Sequence, residues 1–396
     1  MSGLRAGAAR RTITPSLADG PVFLAGFQGD RRATGVDRDL SVRALAVAEP
    51  GGRPFVLAVC DLIGVLRGDT LAIREAVADL GADVVVAATH THSGPDTIGL
   101  WGPDEVTRGV DEAYLARVRD AVVESIRDAV GALEPVSLRA AATEVRGVLH
   151  NSRDPEILDE GLGVVGFERA DGSTVATLVN LGVHPEVLDG DSTLVSSDLA
   201  GATCLALEAA RGGTAVWVSG DLGGMQGPAP GPRTTEEVAR KASLVAEAAT
   251  AALAAAPVAA RPRARYVGAT VRLPLWNPRY RVGLASGLLL GEVHDDGTIS
   301  TDVGVLDLGA ARAACWPGEV LPRLGLRSKA ALGTPVPLLF CLANDELGYV
   351  LPDEDFVAPT DWDDPGRSYE ESMSVGPETG SRLAAALDGL TGRLDG

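Results

Sequence analysis

The pattern of apolar and polar positions predicts strands and helices that alternate along most of the chain. Short runs rich in Val, Ala and Leu, bounded by turn residues, predict strands over 42–48, 55–61, 84–88, 136–145, 162–168, 174–181, 215–219, 265–273, 303–308 and 338–342. Apolar residues at helical spacing predict helices over 70–80, 111–130, 199–210, 234–256 and 378–390. Strands that alternate with helices in this way indicate an α/β fold.

Turn and capping residues refine these boundaries. Asp69 is expected to cap the helix over 70–80, which Gly81 ends, and Ser197 or Asp198 to cap the helix over 199–210. Residues 161–166 match the pattern G-x-G-x-x-G, but a hairpin-like run with Asp-Gly at its turn follows them instead of a helix. The segment therefore predicts a strand and not a nucleotide site.

Composition and charge narrow the class of protein. The 396 residues carry a formal charge of −19 and 45% are hydrophobic, which indicates a folded acidic protein. The sequence has no block of Lys and Arg that could contact nucleic acid and no apolar run long enough to span a membrane. It also has no apolar signal segment near residue 1, so a cytoplasmic location is expected. The preference for Arg over Lys, with abundant Ala and Gly, is typical of a GC-rich bacterial genome.

Cysteine spacing and short motifs exclude several kinds of site. The four cysteines are far apart and form no C-x-x-C pair, so we expect buried free thiols rather than a zinc-thiolate or redox site. The patterns of a serine nucleophile elbow, a phosphate-binding loop and an H-E-x-x-H zinc helix are also absent from the sequence.

The histidines carry the most informative pattern. His90 and His92 directly follow the predicted strand 84–88, and in an extended chain they would point to the same side. Two such imidazoles can bind a metal, or one can bind it while the other moves a proton; polar residues that merely end a strand fit the same pattern. His184 follows another apolar strand and by itself fits a structural role. A catalytic zinc ion takes three protein ligands, so carboxylate or phenolate ligands would complete the set.

The order of several short motifs resembles the neutral ceramidase family. The motifs are Thr-His-Thr-His-Ser-Gly-Pro at 89–95, Val-His-Pro at 183–185, Pro-Gly-Glu at 317–319 and Asn-Asp…Gly-Tyr-Val at 344–350. Segments 6–15, 24–27, 60–62 and 197–201 extend the resemblance over nearly the whole chain. The resemblance implies an α/β fold of mixed β-sheets with flanking helices, in a single catalytic domain over 1–396.

The resemblance also implies a chemistry, because members of this family are zinc-dependent amide hydrolases. The positions that match its Zn²⁺ ligands are His90, His184, Glu319 and Tyr349, and the position that matches its histidine facing the scissile amide is His92. Asp345 and Asp198 match carboxylates that could orient ligands, which places Asp345 with His92 among the catalytic candidates. The implied substrate is a small-molecule or lipid-like amide.

Departures from the family pattern qualify this expectation. Residues 150–153 read His-Asn-Ser-Arg where the family often has an Asn-Arg pair, so Arg153 would contact the substrate carbonyl only after a shift. Residues 220–228 lack the serine of ceramide-cleaving members, so the expected substrate is not ceramide itself. The family's signal peptide and C-terminal immunoglobulin-like domain have no counterpart in the sequence.

Three functions remain open at this point, and the sequence indicates no oligomeric state. The first is hydrolysis of an amide (N-acyl) bond by a metal-activated water. The second uses the same metal site for ester or lactone hydrolysis or for a cyclising acyl transfer. The third is a non-catalytic binding protein on an inherited fold.

Overall fold

The computed structural model describes residues 3–395 as nineteen strands and eight α-helices, joined by turns and short 3₁₀ segments. The strands are β1 Arg5–Thr12, β2 Gly35–Val36, β3 Ser41–Ala48, β4 Phe55–Cys60, β5 Asp83–Ala88, β6 Glu134–Pro135, β7 Ser137–Glu144, β8 Leu149–Asn151, β9 Gly161–Glu168, β10 Thr174–Leu181, β11 Leu194–Val195, β12 Thr214–Ser219, β13 Gln226–Pro228, β14 Arg265–Pro274, β15 Thr298–Asp307, β16 Arg312–Cys315, β17 Glu319–Val320, β18 Pro337–Phe340 and β19 Tyr349–Val350. The helices are α1 Arg67–Ala76, α2 Glu112–Gly131, α3 Asp198–Arg211, α4 Thr235–Ala255, α5 Pro278–Ser286, α6 Pro322–Ala331, α7 Tyr369–Ser372 and α8 Thr379–Asp395.

Three larger sheets organise the fold, and each mixes parallel with antiparallel neighbours. The first has the strand order β5-β4-β3-β1-β6, the second β12-β10-β9-β7 and the third β14-β15-β16-β18. The parallel pairs are β4 with β5, β10 with β12, and β16 with β18. The prediction of an α/β fold with mixed sheets and flanking helices is therefore confirmed.

The first and second sheets pack face to face, and helices cover their outer faces. In β4, Phe55 and Leu57 belong to the core between the sheets, whereas Val56 and Ala58 pack with α2. Helices α3 and α4 pack in the same way on the outer face of the second sheet, and α8 packs on the third sheet. Strands buried on both faces need apolar residues at every position, which explains the uninterrupted apolar run at 84–88.

Two predicted helix starts differ from the structure. Helix α1 begins at Arg67, and Asp69 lies inside its first turn, where its carboxylate pairs with Arg119 at 2.7 Å instead of capping the helix. Ser197 does occupy the position before α3, but its side chain makes no capping bond. The pattern also missed α5 and α6, which both begin with proline. The apolar stripe of α5 is weak, whereas that of α6 is as pronounced as in α4, which was predicted.

Other expectations from the composition can be compared with the described residues. All four cysteines are free and buried, as predicted. Within residues 3–395, no helix combines the length and the apolar composition that crossing a membrane requires.

Candidate metal centre and adjoining cavity

The candidate site lies where the carboxyl ends of strands from all three sheets meet. His90 follows β5, His184 follows β10, and Glu319 lies shortly after β16. Hydrogen bonds between the loops join these ends: the N–H of Ala88 donates to the carbonyl of Leu342, and the Ser219 hydroxyl donates to that of Thr89. Such strand ends are the common place for active sites in α/β folds, because the connecting loops converge there.

The backbone bends at His90, so the extended conformation of β5 does not continue to His92. His90 has a φ of +69°, in the left-handed region, which costs about 1–2 kcal/mol for a residue with a Cβ atom. Its N–H donates to the carbonyl of Leu62, at 2.9 Å, which stabilises the bend. The rings of His90 and His92 nevertheless lie close together, with centroids 4.9 Å apart.

The buried imidazoles of His90 and His184 each direct their Nε2 atom towards the Glu319 carboxylate. The His90 Nδ1 lies 2.6 Å from the carbonyl oxygen of Ile63, and the His184 Nδ1 lies 3.1 Å from that of Gln226. A carbonyl oxygen only accepts hydrogen bonds, so each Nδ1 carries the proton and each Nε2 carries a lone pair. The Glu319 Oε2 lies 3.1 Å from Nε2 of His184 and 3.4 Å from Nε2 of His90.

These three atoms fit a divalent metal ion. Two lone pairs that face a carboxylate oxygen repel it unless a proton or a metal cation lies between them. Ligand atoms about 2.0–2.1 Å from a tetrahedral zinc ion are roughly 3.3 Å apart, and the separations of 3.1 and 3.4 Å bracket that value. The backbone carbonyls on both Nδ1 atoms match the outer partners that orient metal-binding histidines.

The two imidazoles of the cluster of His90, His184 and Glu319 favour the charged form of the Glu319 carboxylate. Burial opposes the ionisation of Glu319, but His90 and His184 beside it hold the pKa of its carboxyl group below the usual range. Burial also opposes protonation of His90, whereas the Glu319 carboxylate raises the pKa of that imidazole. The Glu319 carboxylate is therefore ionised, and it attracts a cation, whether a proton on His90 or a metal ion.

A second ligand set is also possible geometrically. One nitrogen from each of His90, His92 and His184 lies within 4.8 Å of the others, so the three imidazoles could hold a metal ion together. Their rings are mutually edge-on, with centroids 4.9 to 5.5 Å apart. The two sets share His90 and His184 and differ in whether Glu319 or His92 completes them.

His92 has a buried carboxylate partner that the sequence did not predict. The Oε2 of Glu186 lies 3.0 Å from the His92 Nδ1, although neither atom has an aligned hydrogen bond. Burial lowers the pKa of His92 to about 4, against the opposing effect of Glu186. Burial opposes the ionisation of Glu186, but His92 and the other two histidines hold its pKa at about 2. The pair is therefore a neutral imidazole beside a carboxylate.

The loop before β2 positions His92 through a close contact and a buried guanidinium. Gly26 has a φ of +77°, and a Cβ atom there would lie 2.5 Å from the His92 ring, so only glycine leaves room for the imidazole. The guanidinium of Arg31, which is 4% exposed, donates to the backbone carbonyls of Ala25 and His92. The Phe27 ring packs edge-on against His92 at 5.0 Å.

Tyr349 lies next to Glu319 because β17 and β19 pair in parallel with these two residues in register. Its hydroxyl group donates to the Met225 sulfur at 3.4 Å. Burial raises the pKa of the phenol well above its usual value, and the nearby Glu319 carboxylate adds to this effect. The structure thus brings Tyr349 to the same site, while its role as a ligand stays a prediction.

Asp345 lies at the cavity wall and already has three hydrogen-bond donors. Its Oδ1 accepts the N–H groups of Arg67 and Glu346, each at 3.0 Å, and its Oδ2 accepts the hydroxyl of Thr301 at 2.9 Å. Burial raises its pKa to about 6, against the effect of these donors. The arrangement suits a residue that joins its own loop to the start of α1 and to β15, and a catalytic role for Asp345 stays a prediction.

Asp198 supports the loop that follows His184. Its two carboxylate oxygens accept the N–H groups of Val187 and Leu188, at 3.0 and 2.9 Å, and burial raises its pKa to about 6 despite these bonds. Removing this carboxylate would remove the two hydrogen bonds that hold the chain directly after Glu186.

Arg153 is held away from the cluster by two carboxylates. Its guanidinium pairs with Glu370 and Glu371, with one nitrogen-oxygen distance of 2.7 Å to each. The Arg153 backbone N–H donates to the carbonyl of Gly224, at 3.2 Å, in the segment that also carries Met225. Contact with a substrate carbonyl would require these ion pairs to open, and that role stays a prediction.

A buried charge cluster supports the segment 220–228. Lys329 of α6 lies between Asp159 and Asp221 and contacts the Oδ1 of Asp221 at 3.0 Å. Asp159 accepts Lys329 and donates its backbone N–H to the Gln226 side chain at 3.1 Å. The backbone carbonyl of Gln226, in turn, accepts hydrogen bonds from the backbone N–H and the ring Nδ1 of His184. The cluster therefore stabilises the loop that orients a candidate ligand.

We expect Lys329→Met to destabilise the protein by about 3–5 kcal/mol at pH 8, because it leaves two buried carboxylates without a cation. Burial raises the pKa of Asp221 to about 7 even with Lys329 present. A carboxyl group with a raised pKa in the folded state holds its proton there, so its stabilising contribution is lost as the pH rises through that pKa. The loss in the free energy of unfolding caused by Lys329→Met should therefore be smaller at pH 5 than at pH 8, as measured by urea unfolding at both pH values.

The control for this variant is Arg146→Met, which removes a cation whose side chain is 80% exposed. It should change the free energy of unfolding by less than about 0.5 kcal/mol at either pH. A Lys329→Met deficit that is equally small, or one that grows at pH 5, would contradict the role assigned to this charge cluster.

A cavity of about 290 Å³ adjoins the candidate metal centre. His90, His92, Glu319 and Tyr349 line one part of it. Elsewhere its walls are largely apolar and include Leu66, Ile98, Leu100, Trp101, Leu284 and Leu289. Apolar walls with a few polar groups at one end are typical of sites for small organic ligands.

Several residues at the site were missed by the sequence analysis. Glu186 lies two positions after His184 and Glu346 directly follows Asp345, so proximity to these predicted residues was the only available signal. Tyr280 and Tyr369 reach the cavity from α5 and α7, and nothing in their local sequence indicated this. Burial raises the pKa of Glu346 well above its usual value, and the Glu319 carboxylate raises it further.

Comparison with known proteins supports the resemblance seen in the motifs. No known protein family description matches the chain. The neutral ceramidase of Pseudomonas aeruginosa is 25% identical over 218 residues, which cover 49% of this chain and 32% of that protein. This chain therefore matches only about a third of the length of its curated relative.

The solved structures agree over a longer stretch. The crystal structure of neutral ceramidase from Pseudomonas aeruginosa has a TM-score of 0.82 at 18% identity, covering all of this chain and 75% of the other. A structure described as ceramidase complexed with C2 has a TM-score of 0.81 at 16% identity, covering all of this chain and 76% of the other. At these identities the likeness establishes the fold. The chain is therefore a divergent homologue of neutral ceramidase, at low sequence identity and with the same fold.

Proposed function

We propose that this protein is a zinc-dependent hydrolase of an amide (N-acyl) bond in a small or lipid-like substrate other than ceramide. The observation that carries the proposal is the convergence of the His90 and His184 Nε2 atoms on the Glu319 carboxylate. These three residues would hold the metal, and Tyr349, whose strand pairs with that of Glu319, is the candidate fourth ligand. The likeness to neutral ceramidase supports an amide as substrate.

In this proposal, His92 moves the protons of the reaction. A bound zinc ion would supply a water that ionises near neutral pH and would polarise the substrate carbonyl. Glu186 lies beside the Nδ1 of His92, which favours the proton on that nitrogen and leaves Nε2 as the acceptor. A neutral imidazole can accept a proton from the attacking water and then donate it to the leaving amine.

The apolar cavity has two tasks in the proposed reaction. It binds the hydrocarbon part of the substrate, with Trp101 and Leu289 among its wall residues. It also excludes bulk water from the reacting groups, which strengthens their electrostatic interactions. Asp345 and Asp198 would hold the surrounding loops, and Arg153 would reach the substrate carbonyl only if it left Glu370 and Glu371.

Metal analysis and product analysis test this proposal together. The purified protein should contain about one zinc ion per chain. With zinc bound, it should release free amine and carboxylic acid from at least one member of a panel of N-acyl amines, detected by mass spectrometry. Matched esters and lactones test the alternative that the same metal site hydrolyses esters or lactones or catalyses a cyclising acyl transfer. Turnover of these compounds alone, or a cyclised product, would favour that alternative over amide hydrolysis. Bound metal without turnover of any member would favour the non-catalytic binding protein.

A further inference from the structure

We propose that the cavity accepts one hydrocarbon chain of about eight to ten carbons, and that Trp101 sets this limit. The inference rests on the proposed function, because it names the substrate class of the same site. Three observations carry it: an apolar pocket that begins at the metal centre, loops that are bonded to one another around that pocket, and the volume of the cavity.

The first observation is a group of apolar residues that lines the cavity and is separate from the larger apolar cores. We call it the inner pocket, and its members are Ile63, Leu66, Ile98, Leu100, Trp101 and Leu289. The carbonyl oxygen of Ile63 lies 2.6 Å from the Nδ1 of His90. A hydrocarbon chain that enters the inner pocket therefore starts beside the candidate metal centre.

The second observation is that hydrogen bonds fix the loop 96–101, which carries Trp101. The buried Asp96 carboxylate accepts the N–H groups of Ile98, Gly99 and Trp101, at 2.9, 2.7 and 3.1 Å. Trp101 has the largest side chain of the inner pocket, so its indole occupies most of the room that a longer chain would need. A chain can displace this indole only by breaking the bonds to Asp96.

The same loop also contacts both neighbouring loops of the inner pocket. The Thr97 hydroxyl donates to the carbonyl of Gly64 at 2.8 Å, which joins the loop to the segment after Ile63. A Cβ atom at Gly99 would overlap the carbonyl oxygen of Leu288, so the loop packs closely on the segment that carries Leu289. These contacts close the inner pocket on the side away from the solvent.

The third observation is the size of the cavity, about 290 Å³. An apolar cavity of about 150 Å³ binds benzene, which has six carbons, so roughly twelve non-hydrogen atoms fit here. The amide group at the metal centre takes roughly two to four of these places, which leaves about eight to ten carbons. A longer chain must extend towards the mouth, where the lining residues Leu71 and Leu290 are 41% and 50% exposed and shield it less.

The test compares the binding of hexanol, octanol, decanol and dodecanol, which are uncharged and share one hydroxyl group. Calorimetric titration of the full chain measures each affinity, so the differences report the hydrocarbon chain alone. Complete burial strengthens binding by roughly fourfold per methylene, and octanol should therefore bind about fifteenfold more tightly than hexanol. In the wild type, dodecanol should bind within about threefold of decanol, because the added methylenes lie near the solvent.

Three variants make the result interpretable. In Trp101→Ala the indole is removed, and dodecanol should bind at least about tenfold more tightly than decanol. Leu289→Ala shortens a side chain on the neighbouring loop and should shift the limit towards longer chains as well. The control is Trp276→Ala, which removes an indole that packs edge-on against Phe356 outside the cavity, and it should leave the dependence on chain length unchanged.

Two outcomes would overturn the inference. One is a wild-type affinity that keeps rising about fourfold per methylene from decanol to dodecanol. The other is an unchanged limit in both Trp101→Ala and Leu289→Ala. Alkanols contain no bond that the proposed reaction cleaves, so a confirmed chain limit without turnover of any amide would contradict the proposed function and leave this inference in place.

Discussion

His184→Ala is expected to abolish both metal binding and hydrolysis. The variant removes one of two imidazoles whose Nε2 atoms face the Glu319 carboxylate, and His184 is fully buried at the centre of that cluster. We expect zinc affinity to fall roughly a hundredfold or more, since the loss of outer partners alone costs 10–100-fold. Turnover should fall by about a thousandfold or more, because the activated water and the carbonyl polarisation are lost together. Metal content by mass spectrometry and the rate of amine release measure the two effects.

Two comparison variants separate metal loss from misfolding. Glu319→Gln keeps the shape of the side chain and removes its charge, so it should lower zinc affinity with little change in the thermal unfolding midpoint. His150→Ala removes an imidazole whose Nε2 contacts Ser152 outside the cluster, and it should keep full zinc content. Stoichiometric zinc in His184→Ala, or a loss of zinc in all three variants, would contradict the ligand assignment.

His92→Ala should keep the metal and lose the rate. In the proposed mechanism His92 transfers protons and does not bind zinc, so zinc content should remain near one ion per chain. General acid–base groups typically contribute 10²–10⁴-fold, and kcat should fall within that range. A smaller change in KM is expected, because the apolar walls of the cavity are unaltered. Metal analysis together with steady-state kinetics on the best amide of the panel measures these effects.

The same variant decides between the two ligand sets. If His90, His92 and His184 hold the ion together, His92→Ala will lose zinc as severely as His184→Ala does. A companion variant, Glu186→Gln, removes the charge beside the His92 Nδ1 and should lower kcat while zinc remains bound. An unchanged kcat in His92→Ala would remove this residue from the mechanism.

The sequence predicted the strands, helices and site positions that depend on local pattern. Runs such as 84–88 are apolar at every position because one face packs on a helix and the other on a second sheet. Periodicity failed for α5, whose own apolar stripe is weak and whose Tyr280 bonds to the distant carbonyls of Leu347 and Met373. Asp69 fits the profile of a helix cap, but a pairing with Arg119, fifty residues away, gives it a different partner.

For the candidate site, the order of short motifs along the sequence identified the residues that can bind a metal, and the fold determined how these residues come together. His184 and Glu319 are 135 residues apart and contact each other only because strands from different sheets end at the same edge. The carbonyls of Ile63 and Gln226 determine which ring nitrogen faces the carboxylate, and Glu186 and Glu346 join the site from unremarkable positions. Local sequence determines residue type and strand pattern, whereas the protonation of an imidazole and the partners of a buried carboxylate depend on distant groups that only tertiary packing brings within a few ångströms.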